Sequence, residues 1–363
     1  MGEGNKPYWP PQDQRRDNRT ARPMVYENYD ILNRATVSHN QYVRALRRTI
    51  RERSAVRTMR EDAQRCSLVP VNGVTGLASG DVPLMAAVRN ERTRLPPFLA
   101  HYRALGVTRF LVVDDESSDG TTDYLADQPD VDLFRSDIRF QAARYGTMWF
   151  YTLAQRYGVG RWYVIVDVDE YLVYPGMADH PLPDLIASLT RHRQSRLLAP
   201  MIDLLPDADL RQTPFDPGRW PWDVAPYLDP VGYEMRYKSI GPLITGGPLS
   251  KLFGTLHLLQ KYPVMFWDKS AIHYPDIHNL YPFQRSSPQI QACLLHCKLF
   301  ADLEKRSLAA MADQQHAQHA EKYRVYYDEI RSGLQLDSEI QRCVRYEGPE
   351  HMAELGFMED IDW

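Results

Sequence analysis

The chain has 363 residues, of which 44% are hydrophobic and 25% charged, and carries a formal net charge of −4. That length accommodates one sizeable core with appendages, and the slightly acidic balance excludes a polyanion binder, so nucleic acid is not an expected partner. No apolar run approaches the roughly 20 residues of a spanning helix, and the N-terminus is polar and proline-rich rather than an apolar signal core, so a cytoplasmic protein is expected.

Residues 1–23 hold Pro, Asn, Gln, Asp and Arg with almost no aliphatic side chains, which predicts a disordered tail. Lys6 stands where a myristoylation signal wants Ser or Thr. Residues 24–80 read as an N-terminal helical extension. Within it, Ser38 to Cys66 has a helical pattern with Tyr42, Leu46, Ile50, Val56 and Met59 as its apolar positions. Arg44, Arg47, Arg48, Arg51, Arg53, Arg57, Arg60 and Arg65 dominate the rest, opposed by Glu52, Glu61 and Asp62. Two readings stand for residues 38–66: a peripheral contact with the anionic inner face of a membrane, or a helix packed on the next domain with a solvated basic face.

From Pro83 onward, apolar strands alternate with helices. Leu84 to Val88 runs into Arg89-Asn90-Glu91. A helix follows with Leu95, Phe98, Leu99, Tyr102 and Leu105 on one face, Pro96 and Pro97 in its first turn and Gly106 as its stop. Arg109 to Val113 then enters Asp114-Asp115-Glu116-Ser117-Ser118-Asp119-Gly120-Thr121, a polar turn before a short helix. Val131 to Phe134 reads as another strand, and Met148, Tyr151, Leu153 and Tyr157 mark the helix after it. Trp162 to Val166 ends in Asp167-Val168-Asp169-Glu170. The order β-α-β-α-β-α-β predicts a mainly parallel sheet with helices on both faces and a ligand site beyond the carboxyl ends of its strands. Two carboxylates one residue apart repel unless a cation lies between them, and oxygen donors suit Mg²⁺ or Mn²⁺.

Prolines and glycines are frequent from about Met177 to Met265, so long regular elements are not expected there. Trp220, Trp222, Tyr227, Tyr233, Tyr237 and Trp267 interleave with charges, which suits either recognition of a saccharide or packing of a core. Leu299 to Ile330 is expected to be helical scaffolding, with His316 and His319 solvated. Of four cysteines, Cys293 and Cys297 flank His296, but a fourth ligand with zinc-like spacing is missing, so reduced thiols are expected.

Taken together, Val88-Arg89-Asn90-Glu91, Leu111 to Thr121 and Val164 to Glu170 resemble the nucleotide-sugar half of family-2-like glycosyltransferases, in which V-x-N-E, V-V-D-x-x-S-x-D-G-T and D-x-D-E follow in this order. Leu295-His296-Cys297-Lys298 is similar to the end of a further family segment, L-L-H-x-K. The resemblance implies an α/β protein of the GT-A fold, a Rossmann-like mixed sheet flanked by helices. Residues 81–176 would be its nucleotide-sugar-binding half, 177–298 its acceptor-binding half and 299–363 a C-terminal helical region. The implied activity is metal-dependent, inverting transfer of a sugar from a nucleoside diphosphate sugar, UDP-linked by preference, to a polysaccharide or glycolipid acceptor.

The same resemblance implies roles for residues. Asp169 holds Mn²⁺ or Mg²⁺, Asp167 does so directly or through the nucleotide's ribose as a nucleotide-sugar-binding residue, and His296 is a further ligand. Asp114, or Asp115 in its place, accepts from the nucleobase, while Asn90 and Glu91 line the pocket and Arg144 covers the nucleotide. Lys298 and Lys251 meet phosphate oxygens. The general base stays open among Asp203, Glu234, His273 and Asp276, because the family's downstream E-D motif is not evident. Three other classes compete. A haloacid-dehalogenase-like phosphatase would use Asp167 as nucleophile, but three strands precede it and Glu170-Tyr171 follow. A nucleotidyltransferase would want a glycine- and lysine-rich first loop, which Val88 to Arg92 lacks. A non-catalytic nucleotide-binding module would keep the pocket alone.

Overall fold

The computed structural model describes residues 37–286, 289–315 and 321–363. The expected tail and His316 and His319 lie outside the described residues. Helix α1 (His39–Arg65) leads to the edge strand β1 (Leu68–Pro70). Then β2 (Pro83–Val88), α2 (Leu95–Ala104), β3 (Arg109–Asp114), α3 (Thr121–Ala126), β4 (Val131–Ser136), α4 (Thr147–Tyr157) and β5 (Arg161–Ile165) follow the alternation read from the sequence. After β6 (Glu170–Val173), α5 (Leu182–Arg191) and β7 (Arg196–Leu205) come α6 (Pro221–Val224) and the strands β8 (Tyr227–Leu228), β9 (Tyr233–Lys238) and β10 (Gly241–Gly246). Helix α7 (Gly247–Phe253), β11 (Gln260–Trp267), β12 (Ile272–His273), β13 (Leu280–Tyr281) and β14 (Cys293–His296) complete the sheet region. Helices α8 (Leu303–Asp313) and α9 (Glu321–Arg331) pack against each other behind it.

The main sheet runs β1-β4-β3-β2-β5-β11-β7-β14-β6. Its strands β4, β3, β2 and β5 are parallel. β11 is antiparallel to both β5 and β7, and β14 is parallel to β7 but antiparallel to β6. The protein is thus a mixed α/β fold. Strands β2 and β3 are buried on both faces, which explains why their sequences, PLMAAV and RFLVVD, are apolar runs without alternation. Helix α2 covers them with Leu95, Phe98, Leu99 and Tyr102, each such apolar side chain contributing roughly 1.5–3 kcal/mol. It stops where Gly106 takes φ +94°, a conformation that only glycine adopts without strain.

Two expectations need correction. The proline-rich stretch holds two ten-residue elements, α5 and β7, as well as the eight-residue β11. Pro181 and Pro183 fall at the start of α5, where no backbone donor is needed, and Pro206 follows the end of β7. Pro200, inside β7, lies opposite Gln260 beside a register shift in the β7–β11 ladder that begins at Lys261. Proline density therefore marked element boundaries and a bulge.

The second correction concerns α1. A capping box between Ser38 and Gln41 starts it, as the sequence placed it, but Ala45, Thr49, Val56, Met59 and Ala63 are the residues it buries, while Tyr42 and Ile50 are 44% and 64% exposed. Small side chains let the helix approach α4 and the turn at 283–285, where Thr49 donates to Gln284 at 2.6 Å and Arg60 to the Ser270 carbonyl at 2.5 Å. Glu52 accepts from Tyr274 at 3.0 Å. Arg44, Arg47, Arg51, Arg53 and Arg57 point to solvent.

Among the aromatics, Tyr233 and Trp267 belong to the core, whereas Trp220 is half-open and stacks on Trp222 at 5.1 Å. All four cysteines are free. No described helix is long and apolar enough to cross a membrane.

Candidate active site

The loops after β2 and β3 are knitted together. Asn90, at φ +56°, accepts from the Ser118 amide at 2.7 Å and donates its own amide to the Ser117 hydroxyl at 2.9 Å. The Glu91 amide donates to Thr121 at 2.9 Å. Asp114 accepts from the Ser117 amide at 3.1 Å and the Thr122 hydroxyl at 2.5 Å, so it fixes its own turn. Asp115 faces the other way and accepts from Arg139 at 2.9 and 3.3 Å. Both acids are almost fully buried at the carboxyl end of β3.

At the end of β5 the chain turns tightly. The Glu170 amide donates to the Asp167 carbonyl at 3.0 Å, and the Glu170 carboxylate accepts from the Asp167 amide at 3.1 Å. Two protein cations divide the three acids between them. Lys261, buried on β11, holds Asp167 at 2.8 Å and Glu170 at 3.0 Å. His296 takes the other acid, with Nε2 lying 3.7 Å from Asp169, while its Nδ1 bonds Asp203 at 2.7 Å. The ladder explains this arrangement: β14 lies between β7 and β6, and its register sets His296 beside Asp203 on one side and Glu170 on the other.

The charges follow from these contacts. Burial disfavours an ionised Asp169, but His296 outweighs it and holds the carboxyl well below the usual range. Burial likewise works against a charged Asp167, and the Lys261 ammonium overcomes it. Glu170 has the opposite outcome: burial pushes it up to about 7 despite Lys261, helped by the neighbouring Asp167 and Asp169. Burial would lower His296, yet Asp169 and Asp203 raise it to about 9.

Other expected residues lie elsewhere or act differently. Asp203 is buried, with one oxygen taken by His296 and the other accepting from the Leu249 amide at 3.2 Å, so it positions the imidazole. Lys251 pairs with Asp229 and with Glu339 at 3.7 Å, and no described bond links it to the acids. No described bond ties the Arg144 side chain to them either; Arg139, five residues earlier, is the arginine that reaches Asp115. Glu234, on β9, pairs with Arg236 at 3.2 Å. His273 is packed 6.2 Å from the Trp267 ring, and burial pushes it down to about 3.

Asp276 is different. One oxygen accepts from the His278 amide and the Asn279 side chain, both at 2.9 Å, and the other has no partner among the described residues. Burial raises its carboxyl, against those two donors and the nearby Lys261. The carboxylate is half-buried, with one oxygen unbonded among the described residues.

The C-terminal helices, expected to be scaffolding, close one wall of the site. Asp302, Arg306 and Asp313, spaced four and seven apart, share one side of α8. Arg94 grips Asp302 with two bonds of 2.6 and 2.8 Å, Arg306 meets Glu91 at 2.8 Å, and Arg89 and Arg139 meet Asp313 at 3.1 and 2.9 Å. Lys298 lies over the rings of Tyr323 and Tyr326, 5.3 and 5.8 Å from their centres. Sequence reading missed Lys261, although a lone lysine inside the apolar run from Leu258 to Met265 was a signal. Arg139 and Arg306 carried no such mark.

Among the described residues no group of three His, Cys, Asp or Glu side chains is placed to hold a metal ion. An open site is nonetheless compatible with the donors present. His296 is anchored through Nδ1 by a carboxylate, leaving Nε2 directed at Asp169, which is how protein metal sites orient an imidazole. Mg²⁺-type cations commonly take one or two carboxylates and complete their shell with water and substrate phosphate. No family model matches the chain, and no curated protein gives a significant sequence match.

Proposed function

We propose that the chain is a metal-dependent glycosyltransferase that moves a sugar from a nucleoside diphosphate sugar, UDP-linked by preference, to a hydroxyl of a polysaccharide or glycolipid acceptor, with inversion. On this reading the mixed sheet is a GT-A sheet of the family-2-like type. The observation that carries the reading is the meeting of Asp169 from the end of β5 with His296 from β14, anchored by Asp203, on a sheet whose neighbouring parallel strands end in Asn90-Glu91 and Asp114-Asp115. A phosphatase or a plain binding module gives no reason for that combination.

The chemistry then divides among named groups. Asp169 and His296 would hold the cation, with Asp167 beside them, and a bound Mn²⁺ or Mg²⁺ supplies positive charge to the departing diphosphate. Asp114 or Asp115 receives the nucleobase, with Asn90 and Glu91 lining the same pocket. Asp276 is the general base: its free oxygen removes the acceptor proton, the acceptor oxygen bonds to the anomeric carbon, and the bond from that carbon to the phosphate oxygen breaks with its electron pair leaving on the nucleotide. A single displacement of this kind inverts the centre. Lys261, itself buried, holds Asp167 in its ionised form. Calorimetric titration with UDP and Mn²⁺ tests the reading: binding should be lost in Asp169→Asn, and unchanged binding would remove Asp169 from the site.

A further inference from the structure

Strand β7 carries a second charged feature at its other end. It begins at Arg196, seven residues before Asp203 and so about 23 Å from it along an extended strand. Arg196 is 4% exposed and makes no ion pair among the described residues. Its Nη1 donates to the Leu280 and Pro282 carbonyls at 2.7 and 3.2 Å and to the Ser286 hydroxyl at 3.2 Å, while its Nε is buried without a partner among the described residues. Pinning that turn occupies one nitrogen; Nε takes no part in it. Burial pushes the guanidinium down to about 10; Arg285 adds to that, and Tyr262 and Asp268 only partly offset it. Asp268 is itself engaged, by Arg285 at 2.5 Å and by the Ser270 hydroxyl at 2.6 Å. Arg193, Arg196 and Arg285 line one open cavity of about 400 Å³ with Gln194 and Ser195, and no described acid is among the lining residues. Arg193 is exposed and has neither an ion pair nor a side-chain hydrogen bond among the described residues. A buried guanidinium that touches no carboxylate carries a desolvation cost, and an oxyanion brought into the cavity would offset it.

We infer that Arg193, Arg196 and Arg285 form a binding site for the oxyanion group of a small molecule, a phosphate or a carboxylate, at the end of β7 opposite Asp203. Guanidinium forks match both groups through paired N–H···O bonds, and a cavity of this size admits the rest of a small molecule behind the charged group. The site is independent of the glycosyltransfer reading, since it shares no residue with the acidic turn, His296 or Asp276.

Inorganic phosphate and citrate, each titrated calorimetrically into the full chain in EDTA, are the probes. Wild type should bind at least one of them, and binding of phosphate without citrate, or the reverse, assigns the group the site takes. Arg193→Ala should weaken binding about 10-fold or more, as expected for losing a hydrogen bond to a charged group. Because Arg193 is exposed and unpaired among the described residues, that variant should melt at the wild-type temperature without ligand, which separates loss of the site from misfolding. Arg196→Lys keeps a donor for the turn but not the planar fork, and should weaken binding as well. Asp169→Asn should leave the affinity unchanged; if it abolishes binding, the anion sits at the acidic turn and the inference falls. No binding of either anion at millimolar concentration, or full affinity in Arg193→Ala, also overturns it.

Discussion

Replacing Lys261 with Met removes the one ammonium that separates Asp167 from Glu170 while keeping most of the side-chain volume. Lys261 is 4% exposed and lies 2.8 and 3.0 Å from the two carboxylates. At such separations and an effective dielectric constant of about 20, each attraction is roughly 5–6 kcal/mol before the lysine's own desolvation is subtracted. Breaking a buried pair by deleting one partner costs about 3–5 kcal/mol in practice, because the remaining charge has nowhere to go. Here the low end applies. Glu170 already sits at about 7 by burial, so once the ammonium is gone it takes up a proton and cancels part of the excess charge. Urea unfolding of the variant at neutral pH should therefore show a loss of about 3 kcal/mol. The deficit should shrink as the solution is acidified, because carboxyls raised in the fold bind protons there before the unfolded chain does. Mn²⁺ should raise the variant's midpoint more than that of wild type, since a divalent cation can serve the acids Lys261 leaves behind. A variant as stable as wild type would show that Lys261 is not the counter-charge of this turn.

Further outcomes are expected. Asp276→Asn should lower kcat by about 10²–10⁴-fold, and the acid limb of the wild-type profile, lying above the ordinary carboxylate range, should vanish; an unaltered limb would assign the base elsewhere. Burial pushes His101 down to about 4, partly offset by its bond to the Leu172 carbonyl. It is neutral when folded, so the unfolded chain alone binds a proton between pH 6.5 and 4, and stability present above that window is lost by about 3 kcal/mol as pH falls through it. His101→Gln should flatten that decline in a denaturation series, and an unchanged slope would contradict the assignment. The solvent-facing arginines of α1, with Ile50 among them, should carry the full chain to phosphatidylserine vesicles but not to neutral ones. Arg44, Arg47 and Arg51 changed together to Glu should abolish flotation, each removed cation being worth about 1 kcal/mol; equal recovery with both vesicle types would leave α1 a packing helix only.

Much of the fold was legible because its signals are local. The apolar runs of β2, β3 and β5, the turn residues after Asp114 and the acids after β5 each mark their place in the fold within a few positions, and right-handed crossovers do the rest. What the sequence hid is non-local. Asp203 was a candidate base because it follows Leu197-Leu198-Ala199, yet the parallel β7–β14 register, which pairs residues 93 apart, makes it the partner of His296. Lys261 is 94 residues from Asp167 and reaches it only because β11 inserts antiparallel beside β5. Arg144 came from the family resemblance, and Arg139 reaches Asp115 instead because the chain approaches it before turning through the positive φ angles at Arg144 and Tyr145. The side of α8 that faces the site could have been read as a spacing of four and seven, but nothing in the helix itself says what lies across from it.

The most direct test of the central claim is a crystal grown with UDP and Mn²⁺ and measured for manganese anomalous scattering. The account predicts a peak between Asp169 and His296, with the diphosphate against it and the base of the nucleotide toward Asp114 and Asp115. A peak elsewhere, or a nucleotide bound away from those four residues, would contradict it.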